Sequence, residues 1–409
     1  MDVATFYERH PYPRPVEDLD QYRLRWQDGM RRRADYHLHW PHRPYAEDRT
    51  ILVAGCGTAQ AAKHAIRWPR ARVVGIDFSE TSVRHTQLLK RKYGLDNLEV
   101  HQLPIERVES LGARFDQIVC TGVLHHLPDP DAGLAALHGV LDARGAMQIM
   151  VYAPYGRTGI YMLQEFCRRL GVEATGQGIQ ELIATLIALP RGHPLEGLLQ
   201  HAPDFREQAA LADALLNPID RAYSVPQFLD FIERAGLVFA RWVRQAPYSP
   251  RCGALATIPL AERLRSLAPA EQYAVAELFR GTMLRHSAVV YSGQNPGSQQ
   301  TLRFDGDQGD WHRYVPILAP DTIRVHENLP PGVAAVLINR THGYGDLVSS
   351  VNAEELAIVD AIDGTRTLGG LSGRWSPSRV RPLMERLWWC DQVLIDASAT
   401  ARARPGRAS

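Results

Sequence analysis

Cysteine is scarce in this sequence, and so is any imbalance of charge. The five cysteines, Cys56, Cys120, Cys167, Cys252 and Cys390, are odd in number and widely spaced, with no C-x-x-C pair among them. This argues against a disulfide framework or a cysteine-built zinc site and reads as the reduced thiols of a cytoplasmic protein. The chain sets 46 Lys and Arg against 45 Asp and Glu, a net charge of +1. Such a balance supplies no global attraction for nucleic acid or an anionic membrane. No apolar run approaches the ~20 residues that a membrane span needs. The opening residues Met1-Asp2-Val3-Ala4-Thr5 lack the basic start and apolar core of a signal peptide. No internal repeat is found. His37, His39 and His42 form the densest group of metal-ligating side chains, but His37 and His39 would point apart on a helix and no acidic residue stands at ligand spacing, so no metal is expected.

What is present is an ordinary globular composition, 45% apolar and 22% charged, in 409 residues, enough for two or three domains. Residues 1–49 are rich in Arg, Pro, Tyr, Trp and His and read as an N-terminal lid or cap, helical from about Leu24 to Leu38. Residues 50–157 form the core, where strands fit 51–54, 72–76, 98–101, 116–120 and 146–152, and helices fit about 59–67, 80–93, 104–110 and 131–141. This alternation predicts a parallel sheet with helices on both faces. Residues 158–220 are helical in period and too long for a loop, and are expected to be a helical cap insertion covering the site. Residues 221–292 return to the core, with a helix ended by Gly236, a strand at about 238–243 and a last strand at 288–291. A Gly/Ser/Gln/Asn-rich linker spans 293–301, a small C-terminal α+β module 302–396, and a small, basic, disordered tail 397–409.

The informative stretch is Ile51-Leu52-Val53-Ala54-Gly55-Cys56-Gly57-Thr58-Ala59. It reads as a buried strand breaking into a glycine turn and then a helix. The next apolar run, Val73-Val74-Gly75-Ile76-Asp77, ends in an acid, which follows Gly57 by about 20 residues, the spacing at which a carboxylate meets ribose hydroxyls. Ala62 completes a dinucleotide-type pattern, so spacing alone does not separate NAD from other nucleosides.

Downstream come Phe115-Asp116-Gln117-Ile118-Val119-Cys120, then Val123-Leu124-His125-His126-Leu127, then Leu141-Asp142-Ala143-Arg144-Gly145. In this order, over roughly residues 50–152, the motifs resemble those of class I S-adenosylmethionine-dependent methyltransferases. The segment Phe6-Tyr7-Glu8-Arg9-His10-Pro11-Tyr12-Pro13-Arg14-Pro15 is similar to the lead-in of some small-molecule members. The resemblance implies an α/β fold: a doubly wound, mostly parallel Rossmann-like sheet carrying the cap insertion and the C-terminal module. It implies S-adenosylmethionine as cofactor and S-adenosylhomocysteine as product. Ala54, Gly55, Cys56 and Gly57 are then expected under the methionine part, Asp77 at the ribose, and Phe78, Gln102, Leu103 and Pro104 around adenine. Thr121 and Gly122, after the fourth strand, complete the expected cofactor-binding residues. Two positions depart from the family: Val53 stands where many members have an acid, and Leu103 or Gln102 where many have an aspartate beside the adenine amino group.

Methyl transfer from a sulfonium asks mainly for alignment and exclusion of water, with a base only where the acceptor must lose a proton. His125 and His126 are the catalytic candidates, since one of them can line the site and the other titrate near neutrality. Tyr7, Tyr12, Tyr152, Tyr155 and Arg157 are the candidate acceptor contacts. The expected activity is transfer of a methyl group to a small-molecule acceptor by in-line displacement. The alternatives are a protein or RNA acceptor recruited by the C-terminal module, and a cofactor-binding protein without turnover.

Overall fold

Runs of Val, Ile and Leu that stop at glycine or an acid become the strands of the central sheet. In the computed structural model, which describes residues 15–196, 199, 208–295, 300–305 and 310–399, these are β1 (Thr50–Ala54), β2 (Arg72–Asp77), β3 (Leu98–Gln102), β4 (Phe115–Thr121), β5 (Leu141–Tyr152), β6 (Leu237–Trp242) and β7 (Arg285–Ser292). The seven strands lie in the order β3-β2-β1-β4-β5-β7-β6. β1 to β5 pair in parallel, and β7 runs antiparallel to β5. Because helices cover both faces, the central strands read as unbroken apolar runs, and Ile51, Leu52, Ile76, Ile118 and Ile149 are fully buried. The chain reverses direction across the sheet between β1 and β4, where a doubly wound sheet opens a crevice at its carboxyl edge.

The helices between these strands follow local signals. Ser79 caps Glu80–Tyr93 by accepting from the Ser82 N–H, and Gly94 ends it in the left-handed region. Asp129 caps Pro130–Gly139, with proline at the first turn. Gly75, inside β2, has no room for a side chain: a Cβ there would stand 2.6 Å from Ala61 Cβ. That glycine lets the helix Gln60–Arg67 press onto the strand.

Contacts divide the chain into two units. The first holds 1–23, 48–239 and 280–292. Besides the sheet it includes the helices Thr158–Leu170, Gly176–Ile187 and Gln208–Leu216, which share a core of Ile160, Leu163, Leu182, Leu186, Leu211 and Leu215. The second unit holds 24–47, 240–279 and 293–409. It contains a three-stranded antiparallel sheet of β9 (Thr322–Val325), β10 (Ala335–Asn339) and β11 (Val348–Val351), ordered β11-β10-β9, and an antiparallel pair of β8 (Val315–Leu318) and β12 (Val393–Asp396). The helices Ala353–Asp360 and Pro377–Trp389 pack with these strands around Trp311, Leu337, Ile358, Leu383 and Leu387.

This division differs from the boundaries drawn on sequence. The helix Gly29–His39, expected in a lid of the core, belongs to the second unit, where Arg33 meets Asp396 at 2.7 Å and His37 Nε2 lies 3.2 Å from the same carboxylate. Residues 240–279, expected in the core, join it as well. His37 and His39 are buried with Nδ1 against the carbonyls of Trp40 and Asp35. Of the expected tail, residues 397–399 are described: the Ala397 N–H donates to Pro41 O at 2.7 Å. The remainder of the tail, 400–409, and 296–299 of the linker lie outside the described residues.

Candidate cofactor and acceptor site

Four neighbouring parallel strands end in the residues that the motifs single out: β3 in Gln102, β2 in Asp77, β1 in Ala54 and β4 in Thr121. Gly55, Gly57 and Gly122 follow with positive φ of 64°, 53° and 78°. At Gly55 a Cβ would also stand 2.3 Å from Val123 Cγ2, so the glycine turn closes directly on the loop after β4. The Cys56 N–H donates to Ile76 O at 2.9 Å, and Thr86 Oγ1 donates to Gly57 O at 2.9 Å. The loop is thereby a rigid backbone surface at the sheet's carboxyl edge.

Asp77 is the hinge of this surface. Its Oδ2 accepts from the Gly57 N–H at 2.8 Å and its Oδ1 from the Ser79 N–H at 2.9 Å, while its carbonyl accepts from the Leu103 N–H at 2.8 Å. The two amides fix the orientation of both oxygens at the strand end. Ser79, and not Asp77, caps the following helix, which separates the capping role from the carboxylate. Half-buried Phe78 is fixed through its carbonyl, which accepts from Gln102 Nε2 at 3.2 Å. Leu103 and Pro104 are half-buried beside exposed Gln102. Val53 is 2% exposed and packs in the core, so its side chain leaves the loop's ligand-facing edge to backbone groups. Cys56 is fully buried, and burial together with nearby Asp77 raises its thiol pKa, which makes it a packing residue and not a nucleophile.

A second group lies where β4 and β5 end. The sequence places His125 and His126 at the start of a helix; the structure gives a short 3-10 turn, Leu124–His126, because Pro128 and Pro130 interrupt the backbone there. His125 is fully buried, with ring centroids 4.1 Å from His126 and 4.0 Å from Tyr152. Among the described residues neither of its ring nitrogens has a hydrogen-bond partner. Burial, then the charges of His126 and Arg157, hold its pKa well below the usual histidine value, so the ring is neutral. His126 Nδ1 lies 2.6 Å from Ile219 O. A carbonyl only accepts, so Nδ1 carries a proton in this contact.

The buried Arg157 guanidinium stacks 3.5 Å from the centroid of Tyr152, donates from Nε to Tyr161 OH at 3.1 Å and pairs with Asp220 Oδ2 at 2.9 Å. Gln164 Nε2 donates to the same Oδ2 at 3.0 Å. Burial opposes the charge on Arg157, but Asp220, Tyr152 and Tyr161 together outweigh it and raise the pKa. Burial and Asp220 push the Tyr161 hydroxyl up to about 12. The structure thus joins Tyr152 and Arg157 to the histidines. It does not bring in Tyr155, which is exposed. Tyr7 and Tyr12 lie outside the described residues. Sequence reasoning missed Tyr161, Gln164 and Asp220. Two of them carry a readable signal, since Arg157, Tyr161 and Gln164 stand at i, i+4 and i+7, one helix face. Asp220 carries none, being supplied by the chain that follows the helix Gln208–Leu216.

A doubly wound sheet with a glycine loop, an anchored acid on the second strand and a histidine turn after the fourth defines a nucleoside-binding α/β enzyme class. Comparison with known proteins narrows it. A model described as a methyltransferase domain matches residues 52–147. The uncharacterized protein syc1184_c of Synechococcus sp. is 30% identical over 286 residues, 68% of each chain. A ubiquinone biosynthesis O-methyltransferase of Acinetobacter baylyi is 24% identical over 144 residues, 35% of this chain and 55% of its own. This chain therefore matches only about half the length of that relative. The solved structure of PKMT2 from Rickettsia typhi shares 14% identity and a TM-score of 0.62, over 91% of this chain and 76% of that one, a likeness of fold. The chain belongs to the class I S-adenosylmethionine-dependent methyltransferases. It is a methyltransferase whose cofactor is S-adenosylmethionine and whose product is S-adenosylhomocysteine.

Proposed function

We propose that this enzyme methylates a small-molecule acceptor by in-line displacement, and that its cofactor lies along the carboxyl ends of β1 to β4. The observation that carries the cofactor placement is the Asp77 carboxylate, an acceptor-only group that the Gly57 and Ser79 amides orient at the end of β2, where two vicinal hydroxyls would donate to it. Ala54, Gly55, Cys56 and Gly57 line the methionine side with backbone. Phe78, Gln102, Leu103 and Pro104 border the adenine side, and Thr121 and Gly122 floor the sulfur end. The bound cofactor supplies a methyl group already activated on a sulfonium, so the protein's part is alignment and exclusion of water.

The burial of the acceptor-side cluster supports a small, enclosed acceptor. The positive charge of Arg157 is balanced by Asp220, and Tyr152, His125 and His126 form an aromatic wall beside it. Neutral His125 would accept a hydrogen bond from the acceptor's O–H or N–H and so orient the acceptor's own lone pair for the in-line displacement. His126, held on Ile219 O through Nδ1, takes a proton at Nε2 when the acceptor must lose one. Such a base is worth about 10²–10⁴ in rate.

Calorimetric titration with S-adenosylhomocysteine, with NAD as the control, tests the cofactor placement. Asp77→Asn is expected to weaken that binding by about 10-fold or more, the scale of a lost charge-assisted hydrogen bond, with an unchanged circular dichroism spectrum because Ser79 still caps the helix. Full binding by a folded Asp77→Asn protein overturns the ribose role. Incubation of the enzyme with a fractionated extract and methyl-labelled cofactor tests the acceptor. Label in the small-molecule filtrate is expected, and label confined to protein or RNA overturns that part alone.

A further inference from the structure

The sequence separates Cys252 from Cys390 by 138 residues, yet the fold sets their sulfurs 2.8 Å apart. We infer that this pair is a site of reversible oxidative modification, at which a low-molecular-weight disulfide such as oxidised glutathione converts the two thiols into an intrachain disulfide within the second unit.

The surrounding chain fixes both cysteines independently of any bond between them. Cys252 is 1% exposed, and its N–H donates to Ser249 O at 3.2 Å. The turn after it is pinned by the Ala254 N–H donating to Asp346 Oδ2 at 2.8 Å. Cys390 closes the helix Pro377–Trp389, its N–H donating to Arg386 O at 3.0 Å. Two further bonds tie the partner segments together on either side of the sulfurs: the Ala246 N–H donates to Asp391 Oδ2 at 2.9 Å, and Gln245 Nε2 donates to Trp388 O at 2.6 Å. Two sulfurs held in contact by their backbones have already met the main requirement for a disulfide, which is that the chains need not move to form it.

The pair is also asymmetric in the way that stepwise exchange needs. Cys390 is only half-buried, and the hydrogen bond from Cys252 lowers its thiol pKa. Cys252 is buried, and that same hydrogen bond and its desolvation raise its own. Cys390 is therefore the attacking thiolate. It bonds to one sulfur of oxidised glutathione and displaces the other as glutathione thiolate. Cys252 then loses its proton and attacks the Cys390 sulfur, which releases the second glutathione. The two protein thiols are oxidised, one disulfide is reduced to two thiols, and the protein loses two hydrogen atoms. Cys56, Cys120 and Cys167 are buried in the first unit and serve as internal controls.

The test is peptide mapping of the full chain after equilibration in glutathione redox buffers. The expected result is loss of two of the five thiols, a single linked peptide pair containing Cys252 and Cys390, return of both thiols on reduction, and a higher melting temperature for the oxidised form. Cys252→Ser is expected to trap glutathione on Cys390, and Cys390→Ser to take up none at Cys252. Five free thiols at every ratio, stable glutathione adducts on both cysteines, or linkage through Cys56, Cys120 or Cys167 each overturns the inference. The wild-type map alone separates these outcomes, so misfolding of a variant does not rescue the inference.

Discussion

Gly55 rejects a side chain on two counts, its positive φ of 64° and the 2.3 Å that a Cβ would leave to Val123 Cγ2. Gly55→Ala is expected to destabilise the protein by about 2–5 kcal/mol, adding a left-handed penalty of ~1–2 to overpacking of ~1–3. Urea titration checks this, and combining it with Val123→Ala is expected to recover only the overpacking part. His125 is the opposite case, a residue that stability alone would not choose. Its two ring nitrogens are buried and, among the described residues, unpartnered. An unmade hydrogen bond costs about 1–3 kcal/mol, so His125→Leu is expected to raise stability while lowering turnover. The sign with pH follows from the depressed pKa. The neutral ring's contribution is whole above the ordinary value near 6.5 and is lost as pH falls through that value toward the folded one. The gain from His125→Leu is therefore larger at pH 5 than at pH 8, and equal urea midpoints at both would contradict it. The sequence made the glycines, Asp77 and the histidine pair legible because each sits at a fixed offset from a strand end. Asp220 was not legible, because its distance from Arg157 is set by the path of the chain from 158 to 220 and by no local spacing.

Strands and helices of the core were readable to within a few residues, since apolar runs and caps are local signals. The exceptions have local causes too. β5 begins at Leu141 instead of 146, because the Asp142–Gly145 turn continues in extended form alongside Phe115 through a register shift. The predicted helix near 104–110 is a 3-10 helix, Ile105–Leu111, ended by left-handed Gly112. The end of Pro377–Trp389 shows a cost accepted for an electrostatic purpose. The Gln392 N–H donates to Leu387 O and the Asp391 N–H to Trp388 O, a Schellman closure in which Asp391 takes the left-handed place, at φ 55°, that glycine usually fills. Its carboxylate accepts from the Ala246 N–H and lies 3.5 Å from both Arg241 and His342. Burial outweighs Arg241 and pushes its pKa up from 3.8 to about 6. A carboxyl whose folded value is raised stabilises the fold while protonated. That contribution is complete below about pH 4 and is lost as pH rises to about 6, up to ~3 kcal/mol for two units. Asn also tolerates the left-handed region and keeps one acceptor, so Asp391→Asn is expected to lack this loss. Urea unfolding of both proteins at pH 4, 5, 6 and 7 reads the difference, and parallel pH profiles would remove Asp391 from the account.

Across the whole chain, the second unit is the part that sequence order concealed. A composition change at 293–301 suggests that a module begins there, yet the unit also takes in 24–47 and 240–279, brought together by contacts that no window of sequence displays. Within 302–396, Asp396 is paired by Arg33 and approached by His37, Asp391 receives the Ala246 N–H, and Arg31 holds Asp321 at 3.0 Å. Removal of those partners leaves Asp391 and Asp396, both mostly buried in the intact chain, without their donors, and a buried carboxylate stripped of its partner costs about 3–5 kcal/mol. Two such losses rival the entire stability of a small domain. A fragment spanning 302–396 is therefore expected not to fold alone, giving poorly dispersed amide resonances and no cooperative melt, whereas the full chain melts cooperatively. Adding a peptide of residues 24–47 restores the partners of Asp396 and Asp321 but not the Ala246 N–H of Asp391, so it is expected to raise order partially. A cooperative melt of the bare fragment near the temperature of the full chain would show that β12 and the helix before it carry their own stability, and that residues 24–47 and 240–279 merely decorate the unit.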